Sequence, residues 1–215
     1  MKRPHRTKTL MTAAALVSSA LAAYPADPAR KSPEFRKEFL ERFQRTGLNT
    51  TPGDAMMLRI LVESRGAKRG VEVGAASGFG AMNMGIAFER TGGHLYTLEI
   101  DPKKAEETRQ NLRKVGLETC VSVVEGDALK TLPTLTGEFD FVFLDALKQD
   151  YMKYLKLIEP KLKPGAVIVA DNVIVSEKAM ADFLAYVQTS PNFDTVIIRA
   201  SSEKGDGMSV SYKIR

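Results

Sequence analysis

The sequence predicts an α/β domain built on a doubly wound, mostly parallel sheet with an antiparallel C-terminal strand. Short β-branched apolar runs alternate with helix-like segments, which is the pattern of parallel strands joined by crossover helices. Most of these runs lack polar alternation, so both faces of each strand should be covered. The last run follows its predecessor after only the turn-like SSEKGDG, and we therefore expect it to pair antiparallel.

Seven strands are expected in chain order, at residues 70–74, 94–100, 121–126, 139–145, 166–172, 195–200 and 208–214. Helix-like segments lie between them, at residues 80–90, 102–115, 150–162 and 177–188. Pro102 at a first turn and Gly116 after a last turn are typical helix boundaries. Residues 31–65 should form a polar, helical lead-in with a loop at residues 49–53.

Residues 1–30 differ in character from the rest of the chain. A basic start is followed by a mostly apolar stretch and a small-residue, cleavage-like site at Ala20 and Ala22. The segment is either signal-like or an N-terminal helical extension that packs on the domain or on a second subunit. It is too short and too rich in Ser and Thr for a membrane span, so no transmembrane segment is expected. Residues 31–215 then form one domain, whose length is ordinary for a single core.

Charge and metal-ligand content narrow the possible partners. Lys2, Arg3, Arg6 and Lys8 account for four of the five net positive charges, which leaves the body of the chain close to neutral. A nearly neutral body makes nucleic acid an unexpected partner. One cysteine excludes an internal disulfide, and two histidines are too few for a histidine metal site. Cys120 should be a small buried hydrophobic residue.

Acids or amides end five successive strands of the predicted sheet. Ligands of a doubly wound sheet bind at the carboxyl ends of its strands. Core packing does not require a polar residue at each end, and helix N-caps would explain only one or two of them. We therefore expect a polar binding site along this edge. The residues are Glu72, Glu99, Asp127, Asp145, Asp171 and Asn172.

A glycine-rich turn follows the first strand. Gly74, Gly78 and Gly80 form GxxxGxG, which differs from the GxGxxG of nicotinamide-binding domains and suits a nucleoside with an amino-acid tail. Glu99 is placed to accept hydrogen bonds from both ribose hydroxyls, and Asp127 could accept a hydrogen bond from an adenine amino group. Alternatively, both acids only cap the helices that follow them.

Four motifs together resemble one enzyme family. VEVGAASGFGA, LYTLEID, FDFVFLDALKQDY and VIVADN are similar to motifs of the cation-dependent S-adenosylmethionine O-methyltransferases, the family of catechol and caffeoyl-CoA O-methyltransferases. The similarity spans roughly residues 49–172. It implies a class I methyltransferase, Rossmann-like fold and a divalent cation, Mg²⁺ or another hard ion, held by Asp145, Asp171 and Asn172. It also implies the cofactor S-adenosylmethionine, bound by Glu72, Gly74, Ala76, Ser77, Gly78, Gly80, Glu99, Asp127 and Asp145.

The chemistry of these residue types agrees with a cation site. Asp145 and the pair Asp171 and Asn172 should end neighbouring strands, so three hard oxygen ligands converge without any His or Cys. Two adjacent hydroxyls of a substrate could bind the same ion, which makes a hydroxyl lose its proton more easily. We therefore expect a phenolic, vicinal dihydroxy small molecule as the methyl acceptor.

Lys148 follows Asp145 by three residues and is the expected catalytic base. Close to a cation and partly removed from water, its amine should become neutral and accept the substrate proton. The alternative is a solvent-facing helix lysine that pairs with Asp150 or Glu159. Tyr151 is expected either to pack in the core or to contact the site.

Two departures from the family pattern bear on ligand binding. Gly80 occupies the position of a serine that commonly binds the cofactor carboxylate, and backbone N–H groups of residues 76–80 at a helix start could bind it instead. Ala146 and Leu147 replace the His and Trp of the catechol enzyme, and the chain has no Trp. The aromatic walls of a catechol site are therefore not identifiable from the sequence.

Three functions remain open at this point. They are metal-dependent O-methyl transfer to a catechol-like acceptor, methylation of a hydroxylated tRNA base, and a non-catalytic cofactor-binding role. The joint presence of Asp145, Lys148, Asp171 and Asn172 disfavours the last, because a pure binder needs neither metal nor base.

Assembly and location are also expectations. Phe35, Phe39 and Phe43 recur at helical spacing and either form a homodimer interface or belong to the core. The implied cofactor is made in the cytosol, which favours a cytoplasmic protein, and the signal-like residues 1–23 leave export or membrane tethering as the alternative. Residues 201–208 should be a plain hairpin loop.

Overall fold

The computed structural model of the protein describes residues 28–45 and 48–215. The strands of these residues are β1 (Arg69–Val73), β2 (His94–Glu99), β3 (Val121–Glu125), β4 (Phe139–Leu144), β5 (Leu162–Ala170), β6 (Phe193–Ile198) and β7 (Met208–Lys213). They form one sheet in the order β3-β2-β1-β4-β5-β7-β6. Strands β1 to β5 are parallel, and β7 pairs antiparallel with both β5 and β6. The predicted sheet and its antiparallel C-terminal strand are confirmed.

The helices flank this sheet. The α-helices of the described residues are α1 (Pro33–Glu41), α2 (Pro52–Arg65), α3 (Phe79–Thr91), α4 (Pro102–Lys114), α5 (Ala128–Thr131), α6 (Tyr151–Ile158) and α7 (Ala181–Thr189). Helices α3 and α4 agree with the predicted segments to within one residue. The prediction missed α5, which is a single turn of four residues.

The boundaries of two predicted helices and one predicted loop are wrong for local reasons. The helix expected to reach residue 162 ends at Ile158, because Pro160 lies in a 3₁₀ turn and a proline cannot continue an α-helix. The segment 177–188 divides into a 3₁₀ turn and α7. The loop expected at 49–53 ends earlier, since the Thr51 hydroxyl accepts from Asp54 N and Pro52 begins α2.

The core lies on both faces of the sheet, with β4 buried along its whole length. Phe141 and Phe143 of β4 face a cluster formed with α2, α3 and α4. Val142 and Leu144 face a second cluster formed with α6 and α7. Because both faces of β4 are covered, its sequence is a continuous apolar run, as expected for a central parallel strand.

The lead-in helix α1 and the residues just after it pack on the domain through an aromatic row. Phe39 and Phe43 have ring centroids 6.0 Å apart, and Phe43 stacks on Phe79 of α3 at 5.6 Å. Arg36 is buried and pairs with Glu89 of α3, with 2.5 Å between Nη1 and Oε2. These contacts favour the core alternative for the row, and a homodimer interface stays a prediction.

The N-terminal segment expected at residues 1–30 lies mostly outside the described residues. The predicted boundary at residue 31 falls within a 3₁₀ turn, Pro28–Lys31. Within the described parts of the chain, no helix is long and apolar enough to cross a membrane.

Candidate active site

The carboxyl ends of the parallel strands are level with one another. Val73 of β1 pairs in register with Leu98 of β2 and with Leu144 of β4, and Leu144 pairs with Ala170 of β5. The residues that follow these positions therefore emerge at one edge of the sheet. They are Gly74, Glu99, Asp145 and Asp171.

A cleft of about 570 Å³ opens at this edge. This volume lies in the range typical of small-molecule sites. Its lining includes Gly74, Ala76, Glu99, Asp127 and Asp145, five of the residues predicted to bind a cofactor. The other four predicted cofactor residues, Glu72, Ser77, Gly78 and Gly80, are not among the residues that line the cleft.

The turn after β1 depends on glycine. Gly74 has a φ of +100°, and a Cβ at this position would be 2.2 Å from the Asp145 carbonyl oxygen. Gly78, with a φ of +90°, is the N-cap of α3 and packs on Thr108 of α4. No side chain caps the N-terminus of α3. Its first N–H groups are the kind of donors that bind anions at helix starts.

Glu72 and Gly80 form a tight contact beneath the turn. Glu72 is buried and accepts a hydrogen bond from the Thr97 hydroxyl. Burial raises the pKa of Glu72 to about 8. A Cβ on Gly80 would lie 2.7 Å from Glu72 Oε1 and 3.1 Å from Thr50 Oγ1, so a larger residue would require these side chains to shift. Ser77, in the turn itself, is buried and donates to Asn49 Oδ1 at 2.8 Å.

Glu99 and Asp127 differ in their local roles. Asp127 caps α5, because its Oδ1 accepts from Leu129 N at 2.9 Å. Glu99 does not cap α4, whose N-cap is Asp101. Instead, the Glu99 carboxylate accepts from Ala76 N at 2.8 Å and from Asp101 N at 3.0 Å. Asp127 therefore caps a helix and Glu99 does not, and both residues line the cleft.

Lys148 points toward the strand ends. Its Nζ is 2.9 Å from Asp145 Oδ1 and 2.8 Å from the Tyr151 hydroxyl oxygen. The partner expected for a surface lysine, Asp150, pairs with Lys153 instead. The solvent-facing alternative for Lys148 is therefore wrong.

Tyr151 is fully buried and links Lys148 to the sheet. Its hydroxyl lies 3.0 Å from the Leu144 carbonyl oxygen and 3.2 Å from that of Asp171, and it donates to this pair. Burial and the charges of Asp145 and Asp171 raise the pKa of Tyr151 well above its usual value, so the hydroxyl keeps its proton.

Asp171 and Asn172 follow β5 and have their own partners. Both Asp171 oxygens lie within 2.8 Å of Lys204 Nζ. Burial and the nearby Asp145 charge raise the pKa of Asp171 to about 6, against the effect of Lys204. Asn172, at a φ of +61°, donates through Nδ2 to Asp206 Oδ2 at 2.9 Å. The side-chain carbonyl oxygen of Asn172, Oδ1, is the atom that can bind a cation.

The loop between β6 and β7 contributes two site residues that sequence reasoning missed, Lys204 and Asp206. Asp206 accepts from the N–H groups of Ile174 and Val175, both at 3.0 Å. Burial opposes ionisation, but these donors and Asn172 hold the pKa of Asp206 below its usual value. The expected antiparallel pairing of β7 could have indicated these residues, because it places this loop beside the end of β5. The expectation of a plain hairpin loop is wrong.

The residues fit a hard divalent cation by donor type. The predicted set has two carboxylates and one amide, which are oxygen donors that Mg²⁺ accepts. Asp145 and Asp171 are close enough for one charge to raise the other's pKa, a repulsion that a cation relieves. Among residues 28–45 and 48–215, no three His, Cys, Asp or Glu side chains form a metal-binding cluster.

Comparisons with known proteins identify the family. A family model described as O-methyltransferase matches residues 29–197. The chain belongs to the O-methyltransferase family. It is 37% identical over 158 residues to a catechol O-methyltransferase of Mycobacterium tuberculosis (strain ATCC 25618 / H37Rv), an alignment that covers 67% of this chain and 71% of that protein.

Solved structures support the same assignment. Cofactor-bound Rv0187 from MTB matches with a TM-score of 0.72 and 31% identity, over 91% of this chain and 93% of that chain. The O-methyltransferase TomG from Streptomyces achromogenes, involved in tomaymycin synthesis and solved with SAM, matches with a TM-score of 0.74 and 25% identity, over 88% and 91%. The class I fold and the resemblance are confirmed, and the protein is an S-adenosylmethionine-dependent O-methyltransferase.

Proposed function

We propose that this O-methyltransferase moves the methyl group of S-adenosylmethionine to a hydroxyl of a catechol-like, vicinal dihydroxy small molecule and requires a divalent cation, Mg²⁺ or another hard ion. The observation that carries the proposal is the position of Lys148 Nζ, 2.9 Å from Asp145 at the common end of β1, β4 and β5. A base and a carboxylate are thus adjacent beside a cleft of ligand size. The catechol O-methyltransferase relative supports the acceptor class.

In this proposal, the cleft binds the cofactor. Glu99 accepts hydrogen bonds from the ribose, and Asp127 accepts one from the adenine amino group. The uncapped N-terminus of α3 binds the cofactor carboxylate. Gly74 keeps the turn close to Asp145, and the buried Glu72 and Ser77 hold the turn from beneath.

Asp145, Asp171 and Asn172 would hold the cation. When bound, it would acidify the acceptor hydroxyl that contacts it and hold the neighbouring hydroxyl oxygen. Lys148 accepts the hydroxyl proton at Nζ. The Tyr151 hydroxyl keeps this nitrogen at the strand ends when Asp145 has another partner. Positioning of the two reactants is the largest contribution of the protein, about 7–11 kcal/mol in well-oriented systems.

Leu147 and Val175 are the proposed apolar contacts of the acceptor ring. Leu147 lies between Ala146 and Lys148 and lines the cleft. Val175 follows the cation ligand Asn172 by three residues. Both side chains are mostly exposed, at 58% and 73%, so a ring that packs on them would remove apolar surface from water.

The test is methyl transfer from S-adenosylmethionine to a panel of vicinal diphenols, with Mg²⁺ and again with a chelator. We expect transfer that is lost on chelation and is absent with the matching monophenols. Transfer that persists with the chelator would overturn the cation role. Binding of S-adenosylmethionine without transfer to any diphenol would overturn the acceptor class.

The remaining expectations are proposals as well. They are a signal-like or helical extension at residues 1–30 ahead of one catalytic domain at 31–215, a homodimer and a cytoplasmic location. Light scattering of the purified protein tests the dimer, and N-terminal sequencing after expression tests cleavage. No feature of the described residues favours tRNA modification or a non-catalytic role.

A further inference from the structure

Lys204 connects the proposed cation site to helix α2. Its Nζ lies 2.7 and 2.8 Å from the two Asp171 oxygens and 2.8 Å from Asp54 Oδ2. Asp54 lies in the first turn of α2 and is fully buried. The other Asp54 oxygen, Oδ1, has no hydrogen-bond partner in the described structure. One ammonium thus serves two buried carboxylates, and one of these has an unused acceptor.

The contact between this loop and α2 does not depend on Asp171. A Cβ on Gly53 would lie 2.6 Å from the Ala200 carbonyl oxygen, so the backbone of the β6–β7 loop packs directly on the start of α2. Glu203 of the same loop also pairs at 3.1 Å with Arg45, which follows α1. Lys204 can therefore leave Asp171 while its loop stays against Asp54.

We propose that Lys204 is an exchangeable counterion of Asp171, and that Asp54 receives its ammonium when Asp171 binds a divalent cation. The unused Oδ1 of Asp54 supplies an acceptor for one of the two hydrogen bonds that Lys204 loses at Asp171. A buried carboxylate without a partner is strongly destabilising, so Asp171 is charge-paired in both states. This inference rests on the cation site of the proposed function.

The inference predicts that Lys204 and Asp54 act in opposite directions on cation affinity. Lys204 competes with the cation for Asp171, so its removal strengthens cation binding. Asp54 draws Lys204 away from Asp171, so its removal weakens cation binding. Simple electrostatics predicts a different result for Asp54, because loss of its charge would weaken binding equally with or without Lys204.

The experiment measures the Kd for Mn²⁺ by the electron paramagnetic resonance signal of the free ion, on the full chain without acceptor. We expect Lys204→Met to lower the Kd by roughly tenfold or more, since an adjacent charge changes the affinity of a carboxylate for a proton by about 1–3 log units. Lys37→Met is the matched control, because Lys37 is a well-exposed lysine of α1. Near-ultraviolet circular dichroism checks the fold, and Lys204→Gln replaces Lys204→Met if the latter does not fold.

A double-mutant cycle tests the role of Asp54. Asp54→Asn should raise the Kd about threefold or more when Lys204 is present and should change it little when Lys204→Met is also present. Equal effects in the two backgrounds would overturn the exchange. An unchanged Kd in folded Lys204→Met would overturn the competition and leave the proposed function intact, whereas absence of Mn²⁺ binding in every variant would overturn both.

Discussion

The Nζ atom of Lys148 and the hydroxyl oxygen of Tyr151 lie 2.8 Å apart beside the cleft. The Tyr151 hydroxyl is itself held by the backbone carbonyl groups that end β4 and follow β5. The proposed base is therefore oriented by the sheet, although it lies in a short 3₁₀ turn. Rigid elements position reactive groups better than loops do.

Lys148→Ala should lower kcat by roughly 10²–10⁴-fold, the usual contribution of a general base. The Kd for S-adenosylmethionine should stay within about twofold, because Lys148 is not among the residues that line the cleft. Steady-state kinetics and calorimetric titration measure the two quantities. Lys153→Ala is the control, because Lys153 pairs with Asp150 and has a mostly exposed side chain. Full activity of Lys148→Ala would show that another group removes the proton.

Tyr151→Phe should show whether the Tyr151 hydroxyl orients Lys148 in addition to stabilising the fold. The variant keeps the ring in the core but removes the hydroxyl that contacts Lys148, so we expect kcat to fall about tenfold with little change in KM. Loss of a buried hydrogen-bond donor should also cost about 1–3 kcal/mol of unfolding free energy. The pH profile of kcat should shift, since the base loses a partner, whereas a purely structural role would leave that profile unchanged. Tyr186→Phe is the control, because its hydroxyl contacts Glu159 instead.

Glu99→Gln should weaken cofactor binding. The carboxylate already accepts two backbone N–H groups, and its charge is the feature that favours ribose hydroxyl donors. Loss of a charged hydrogen-bond partner costs about 1.5–3 kcal/mol, which corresponds to a Kd for S-adenosylmethionine raised at least tenfold. Glu125→Gln, at the end of β3, is the matched control, since Glu125 is exposed and pairs with Arg109. Equal Kd values for Glu99→Gln and the native protein would remove Glu99 from the cofactor site.

Glu72 should make stability depend on pH. Its carboxyl has a pKa of about 8 in the folded protein because of burial, against 4.5 for an unperturbed glutamate. Between these values the folded state holds the proton and the unfolded state does not, so the unfolding free energy falls as pH rises toward 8. The slope is at most about 1.4 kcal/mol per pH unit for one group.

Glu72→Gln tests this dependence directly. The amide keeps an acceptor for the Thr97 hydroxyl but does not ionise. Urea unfolding at pH values between 5 and 8 should show a flatter slope for the variant than for the native protein. Equal slopes for the two proteins would show that a group other than Glu72 causes the pH dependence of the unfolding free energy.

The sequence predicted the sheet well because its strands are apolar on both faces, and a run such as that of β4 has few alternative structures. It predicted short elements poorly, and α5 shows why. A four-residue helix is defined by its cap at Asp127 and by its neighbours rather than by any periodicity. Pro160 marked the end of α6, but only the structure shows that a 3₁₀ turn bridges directly to β5.

The site was predictable where strand ends define it and not where distant loops enter it. Asp145 and Asp171 could be located because neighbouring parallel strands end at one level. Lys204 and Asp54 are 150 positions apart in the chain, and their contact depends on how a loop packs on α2. Sequence spacing carries no information about that packing, so both residues were missed.

The close approach of Gly74 to the Asp145 carbonyl oxygen has a consequence for how this enzyme can diversify. That backbone contact joins the turn of the donor pocket to the first proposed cation ligand without any side chain between them. In the proposed function, the distance between the donor and acceptor sites therefore does not depend on Leu147, Val175 or the loops around them. Evolution or engineering can therefore change the preferred acceptor through those side chains. The distance over which the methyl group is transferred stays the same.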